Sequence, residues 1–317
     1  MGNAAGNSRT LRLGTRGSQL ARWQAEWVSA ALQRLGHRVE LIEIATHGDV
    51  DRARPIEEIG TRGVFTKAIQ DALLAGRVDI AVHSLKDLPT EPVEGLTLAA
   101  VPKRESAADV LVFPRGMAEN GRGSVEQLAP GARVGTGSLR RQAQLRHVRP
   151  DLQLSEVRGN LDTRLRKVDE GQFEAIVLAE AGLRRLGLTE RIRHILPFDV
   201  MLSAVGQGAL GIECRADDDN TLSAVRPLND GSTYAAVIAE RALLDRLRGG
   251  CMAPIGALAV VEQDMLKLQA VVLSADGSQR IGADALGEPA EADVLGQRVA
   301  DELTKLGAAK LISSGRG

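Results

Sequence analysis

Residues 10–46 read TLRLGTRGSQLARWQAEWVSAALQRLGHRVELIEIAT. TLRLGT (10–15) alternates apolar and polar side chains, the period of a strand with one face in a core. Residues 17–35 carry helical spacing, with Trp23 and Trp27 four apart. RVELIEIAT (38–46) alternates again, Val39, Leu41 and Glu43 sharing a phase. Strand, helical crossover and strand form the unit from which parallel sheets are built. The next segments continue it: VFTKAIQDALLAG (64–76) is a helix stopped by Gly76, DIAVHS (79–84) a short buried strand, and LTLAAVPKR (96–104) another.

The pattern then repeats with new material. DVLVF (109–113) is a strand, followed by a glycine-rich loop and a turn at PGAR. RVGTGS (133–138) leads into the helix LRRQAQLRHV, then LQLSEV (152–157), the helix LDTRLRKVDEG (161–171) and the strand FEAIVLA (173–179). LSAVGQGAL (202–210) and GIEC (211–214) are placed to return the chain to the first lobe. From about Ser232 the character changes: TYAAVIAERALLDRLRG (233–249) is one long helix, residues 255–276 read as strands in a hairpin or meander, and 291–309 as a closing helix. The expected class is α/β, followed by a smaller α+β domain.

A chain of 317 residues and 33.7 kDa is long enough for about two or three domains. Four Phe, two Trp and one Tyr are too few for a base-stacking platform, and a net charge of -1 gives no reason to expect nucleic acid. The basic residues are lopsided, 33 of 40 being arginine. Coding bias produces that ratio, and so does a cleft for carboxylates or phosphates, which the guanidinium fork binds bidentately. Two cysteines, Cys214 and Cys251, make neither a disulfide scaffold nor a zinc site, so a reducing, cytoplasmic setting is expected. MGNAAGNSRT lacks an apolar signal core, and Gly6 stands where a myristoylation motif needs Ser or Thr. No apolar run is long enough to span a bilayer, so no membrane association is expected.

Five stretches could carry chemistry. In VHSLKDLPTE (82–91), Ser84, Lys86 and Asp87 stand at the carboxyl end of a strand, where α/β proteins bind ligands. A capping Asp beside a solvated Lys would look the same. RLGTRGSQLARWQ (12–24) joins strand, glycine turn and helix start, offering Arg16 and Ser18 to an anion. It is neither a dinucleotide fingerprint nor a P-loop. GTGSLRRQAQLR (135–146) repeats the arrangement with Thr136, Ser138, Arg140 and Arg141; EVRGNLDTRLRK (156–167) does so with Arg158 and Arg164. One such loop means little, but three in two lobes suggest a polyanionic ligand held between them. The fifth, RLRGGCMAPIGAL (246–258), sets Cys251 after two glycines, either as a small buried hydrophobe or as a thiol poised for a covalent bond. His37, His47, His83, His147 and His194 fall in no metal-ligand spacing, and no serine nucleophile elbow is present, so no metal is expected.

TRGSQLARWQ, IAVHSLKDLPTE, GTGSLRRQAQL, VRGNLDTRL, AVGQGALGIECR and GGCMAPIGA, in this order, resemble the porphobilinogen deaminase (hydroxymethylbilane synthase) family along nearly the whole chain. The resemblance implies two doubly wound α/β lobes of periplasmic-binding-protein type flanking a cleft, plus a smaller C-terminal α+β domain. Domain 1 would comprise 9–104 and 204–227, domain 2 the insertion 105–203, and domain 3 residues 232–317. It implies a monomer that condenses four molecules of porphobilinogen, a small-molecule substrate, head to tail with loss of ammonia to give 1-hydroxymethylbilane.

By the same resemblance, Cys251 carries a dipyrromethane cofactor through a thioether, and Cys214 is a packed cysteine. Asp87 is the expected catalytic carboxylate, stabilising the cationic azafulvene left by ammonia and shuttling protons. Ser84, Lys86, Thr136, Ser138, Arg140 and Arg141 would hold cofactor carboxylates. Arg16, Ser18, Arg158 and Arg164, assisted by Arg12 and Gln24, would hold substrate. Arg62 stands where many members carry lysine, and Met252-Ala253 follow the cysteine where a polar residue and valine are commoner. Two other readings stay open from residues alone. One is a noncatalytic two-lobed binding protein, which gives Cys251 no task. The other is an α/β protein whose arginines reflect genome composition, which does not account for three similar loops.

Overall fold

Residues 10–46 form a parallel unit: β1 (Leu11–Thr15) pairs with β2 (Val39–Glu43), and α1 (Gln19–Arg34) crosses between them. The computed structural model describes residues 9–45, 66–116, 124–248 and 253–314. Ser18 starts α1 by accepting a hydrogen bond from the Ala21 N–H at 3.3 Å. Next come α2 (Lys67–Leu74), β3 (Ile80–Ser84) and β4 (Leu96–Ala100). Gly76 stops α2, as the sequence reading expects, with φ of 65°, the left-handed conformation common where a helix ends in glycine.

The chain then builds a second lobe from β5 (Asp109–Val112), β6 (Arg133–Gly135), α3 (Leu139–Val148), β7 (Gln153–Ser155), α4 (Leu161–Asp169), β8 (Ala175–Ala179), α5 (Glu180–Arg185) and β9 (His194–Ile195). β10 (Leu210–Arg215) and α6 (Asp219–Val225) follow, with β10 seated between β3 and β4 of the first sheet. The first sheet runs β2-β1-β3-β10-β4 and the second β7-β6-β8-β5-β9. In both, the fourth strand is antiparallel to the third; in the first it is β10, made when the chain returns to that lobe, and in the second it is β5, the first strand made there. The two lobes therefore share one topology.

Helices cover both faces of each sheet. In the first, Val28 and Leu32 of α1 and Ala224 and Val225 of α6 pack with Leu13 and Ile80, while Ile69 and Leu73 of α2 pack with Val78 and Ala81 on the other face. In the second, Leu145 of α3 meets Val134 and Val177, and Leu165 and Val168 of α4 meet Val112 and Ile176 opposite. This is the doubly wound arrangement expected from the alternating pattern.

The C-terminal domain comprises α7 (Gly231–Arg246), β11 (Ile255–Glu262), β12 (Met265–Leu273), β13 (Arg280–Gly287), α8 (Ala292–Lys305) and α9 (Ala308–Ser314). Its antiparallel sheet β11-β12-β13 is covered by these helices through Leu243, Leu268, Val272, Leu295 and Val299. Contact density divides the chain into two compact units. One holds Met1–Leu88, Pro92–Pro102 and Leu210–Asp230; the other holds Pro89–Glu91, Lys103–Ala209 and Gly231–Gly317, so the second lobe and the C-terminal domain form one body.

The sequence reading missed β13. Its inward positions are Ile281, Ala283 and Ala285, too small to give a clear alternation of hydrophobicity. β2 shows the opposite effect: as an edge strand it leaves Leu41 exposed, so its shared phase does not mark a buried face.

Candidate active site

In the first unit, β1 and β3 are adjacent and parallel, so their carboxyl ends lie on one sheet edge. Arg16 and Ser18 follow β1 there, and Ser84, Lys86 and Asp87 end or follow β3. Leu85–Asp87 is one turn of 3-10 helix, closed by the Leu88 N–H donating to the Leu85 carbonyl at 3.2 Å. Leu85 and Leu88 are buried at its two ends, which turns Asp87 to solvent and leaves Lys86 half-buried. Gln24, buried on α1, donates its amide to Ser84 Oγ at 2.8 Å and so orients that hydroxyl. Ser18 is in place as well, but its oxygen is engaged in capping α1.

Arg12 does not join this set. It lies near the amino end of β1, where Nε and Nη2 reach Asp79 Oδ2 and Oδ1 at 3.0 and 2.8 Å and its own N–H adds a third bond at 3.0 Å. Asp79 precedes β3 and Ser84 ends it, a separation of roughly 16 Å along the strand. Arg9 and Arg215 also contact Asp79. Burial favours the protonated acid, yet the bonds from Arg12 and Arg215 outweigh it and hold the Asp79 carboxyl at about 2. A fully buried carboxylate thus occupies the fork of Arg12, at the end of β1 away from the loop expected to hold substrate.

The second lobe repeats the design. Thr136 follows β6 and Ser138 precedes α3; Thr136 Oγ1 accepts from the Ser138 N–H at 3.2 Å. Arg158 follows β7, the parallel neighbour of β6, with Nε on Glu156 at 2.7 Å. Arg164 on α4 reaches back to the Gly159 carbonyl at 2.8 Å. Gly159 has φ of 111°, which favours glycine and tightens the turn between the two arginines.

Arg140 and Arg141 point inward rather than to solvent. Both bind the fully buried Asp109: Arg140 Nη2 at 2.8 Å, Arg141 Nη2 at 2.6 Å and Arg141 Nε at 3.1 Å. Their other bonds go to the Leu202 carbonyl at 2.6 Å and the Val177 carbonyl at 3.0 Å, and Gln207 adds an amide to Asp109 at 2.9 Å. Burial opposes ionisation of Asp109, but the two guanidinium charges and these hydrogen bonds keep its carboxyl well below the ordinary range. Burial also lowers the pKa of Arg140. Asp109 opens β5, which pairs Ala179 at the carboxyl end of β8, so the triad lies at the same sheet edge as Thr136. Two cations on one anion leave one positive charge in a nearly dry environment, which a carboxylate would neutralise. The sequence reading missed Asp109 and Gln207; the available signal was a charged residue opening the otherwise apolar run DVLVF.

Arg185 is a further buried arginine that the motifs did not single out. Burial lowers its pKa to about 10, and Nη2 donates to the Gly208 carbonyl at 2.6 Å. Cys214 is buried on β10, and burial pushes its thiol up to about 11, so it is a packed cysteine rather than a nucleophile. Cys251 and Arg62 lie outside the described residues. Among the described residues, no helix is long and apolar enough to cross a membrane.

Each edge by itself suits carboxylates: the second unit's carries arginines, hydroxyls and a triad with surplus positive charge, and the first unit's an arginine and a lysine beside one exposed carboxylate. Residues 11–223 match the family described as "Porphobilinogen deaminase, dipyromethane cofactor binding domain", and residues 234–305 match "Porphobilinogen deaminase, C-terminal domain". A porphobilinogen deaminase from Syntrophotalea carbinolica is 46% identical over 97% of this chain and 96% of its own length. One from Pelotomaculum thermopropionicum is 46% identical over 97% of each, and one from Trichlorobacter lovleyi 46% identical over 94% of each. Among solved structures, an arginine-specific periplasmic binding protein of Salmonella typhimurium aligns with TM-score 0.39 and 14% identity over 70% of this chain and 92% of that one. The chain belongs to the porphobilinogen deaminase family, and its reaction is the dipyrromethane-primed condensation of porphobilinogen in tetrapyrrole biosynthesis.

Proposed function

We propose that Asp87 is the catalytic carboxylate of this condensation and that Cys251 holds the primer through a thioether. The observation that carries the first part is the turn Leu85–Asp87, which buries Leu85 and the following Leu88 and leaves one carboxylate exposed at the carboxyl edge of β3. A carboxylate there stabilises the positive charge that develops as ammonia leaves porphobilinogen. It also accepts the proton released when the new carbon–carbon bond forms. The bound primer supplies the nucleophilic pyrrole carbon.

The other residues bind and orient. Each pyrrole carries an acetate and a propionate, and a guanidinium fork matches a carboxylate in shape and charge. Arg16, Arg158 and Arg164 take substrate carboxylates, with Ser18 adding a donor. Lys86, Ser84, Thr136 and Ser138 take those of the primer, Ser84 being held by Gln24. Arg140 and Arg141 contribute the surplus charge of their triad with Asp109 to the same group. We infer further that the protein works as a cytoplasmic monomer, a reducing compartment keeping the Cys251 thiol available for attachment.

Intact mass under denaturing conditions tests the attachment. Wild-type protein made in a host that supplies the primer should exceed the polypeptide mass by one dipyrromethane, and Cys251→Ser should not. A bare mass for folded wild-type protein overturns the thioether. Asp87→Asn should retain the added mass and lose about a hundredfold or more in kcat; near wild-type turnover would remove Asp87 from the chemistry.

A further inference from the structure

The turn carrying Asp87 rests on residues with no task in the binding or chemistry above. Leu85 is 1% exposed, and its side chain lies across Gly211 of β10. A Cβ at Gly211 would come within 2.7 Å of Leu85 Cδ1 and 3.1 Å of Leu98 Cδ1. Gly211 has no positive φ, so backbone conformation does not demand glycine; room for Leu85 does. Its ladder partner is His83, one residue before Ser84.

A buried polar set lies beside that junction of β3 and β10. His83 Nε2 lies 2.9 Å from Glu213 Oε2, off the line of a hydrogen bond. Gln70 of α2 donates its amide to both Glu213 oxygens, at 3.1 and 3.2 Å. All three side chains belong to buried residues. Such groups cost free energy to bury that apolar residues would not, and they are satisfied in few geometries, so they favour one register. The seat of Leu85 is thereby tied to one arrangement of the two strands.

We propose that Gly211 is a positioning residue: it provides the seat in which Leu85 locks, and so sets where the Asp87 carboxylate stands. The proposal rests on Asp87 being the acting carboxylate. An added methyl at Gly211 lifts Leu85, and the displacement passes through a one-turn helix to Asp87, while the substrate-binding arginines stay in place. Misplacement of a catalytic group by a fraction of an ångström to one ångström lowers turnover more than binding.

The test uses holoenzymes with primer occupancy checked by intact mass. Gly211→Ala should lower kcat about tenfold and leave KM for porphobilinogen within about twofold. Adding Leu85→Val returns the lost volume, so the double variant should recover most of the wild-type kcat. Wild-type kcat in Gly211→Ala overturns the proposal, as does a double variant that regains wild-type Tm and stays slow. If Gly211→Ala does not fold, Leu85→Val alone loosens the same seat and should reduce kcat severalfold; unchanged kcat overturns the proposal there too. Asp87→Asn, measured alongside, separates the two readings. Wild-type turnover in that variant defeats the role of Asp87 itself, whereas a slow Asp87→Asn with a fast Gly211→Ala defeats only the positioning role.

Discussion

Replacing Asp109 by Asn should destabilise the second unit more than any other single isosteric change at its sheet edge. The native carboxylate takes four N–H bonds at 2.6 to 3.1 Å, three of them from guanidiniums, with no exposed surface. Asparagine keeps one acceptor oxygen and turns an amide NH2 toward the remaining donors. Two buried cations then lack a counterion. Breaking a buried ion pair from one side costs about 3–5 kcal/mol, and hydrogen bonds to a charged group about 1.5–3 kcal/mol each; the two overlap, so about 4 kcal/mol is expected in total. That is a large share of the 5–15 kcal/mol typical of a folded domain. Urea unfolding followed by far-UV circular dichroism measures it. Tryptophan fluorescence reports elsewhere, because Trp23 and Trp27 both lie on α1 of the first unit. The sign with pH follows from the depressed carboxyl: its contribution is complete above the unfolded value near 3.8 and is lost as pH falls below that toward the native one. A variant within about 1 kcal/mol of wild type at pH 7 would refute the charge-compensation argument.

Asp79 should make the first unit acid-sensitive. With a native value of about 2 against 3.8 unfolded, it contributes roughly 2 kcal/mol above pH 5 that disappears as pH falls toward 2. Thermal melts of wild type and Asp79→Asn should therefore converge on acidification, and a gap independent of pH would contradict this. Glu240, fully buried on α7, accepts from Arg104 Nη1 at 2.6 Å, the Gly206 N–H at 2.7 Å and the Ala259 N–H at 2.8 Å. Glu240→Gln should cost about 3 kcal/mol and speed hydrogen exchange at Gly206 and Ala259; unchanged protection at both amides would count against it. In α8, Gly296→Ala should lower Tm although alanine is the better helix former by about 1 kcal/mol, because its Cβ would sit 2.3 Å from the Ala239 carbonyl oxygen of α7. A raised Tm would show that the helices can part freely.

The lobes were legible because their strands and helices alternate with strong local periodicity, and residues 10–46 hold a complete parallel unit. The loop positions were legible for a related reason: in such a sheet the residue after a strand lies at the ligand-binding edge whatever follows, so Arg16, Lys86, Asp87, Thr136 and Arg158 could be placed by counting. Direction was not legible. Arg12 lies in β1 and Arg16 just beyond its carboxyl end, four residues apart, yet Arg12 meets Asp79 at the opposite end, a partner 67 residues away. Arg140 and Arg141 have the motif of an exposed anion loop and turn inward because Asp109, 31 and 32 residues earlier, waits beneath them.

The sequence alone thus determined most of the strands and helices, though not β13, that two α/β lobes precede an α+β domain, and which loops meet the sheet edges, since these follow from short-range periodicity and chain direction. Only the tertiary structure decided which arginine is paired and which faces the edge. It also decided that Gly211 must be small, and that Glu213, Glu240 and Asp109 are buried among donors. Those outcomes depend on residues far apart in sequence arriving at one place, where the cost of burying a charge selects the partner.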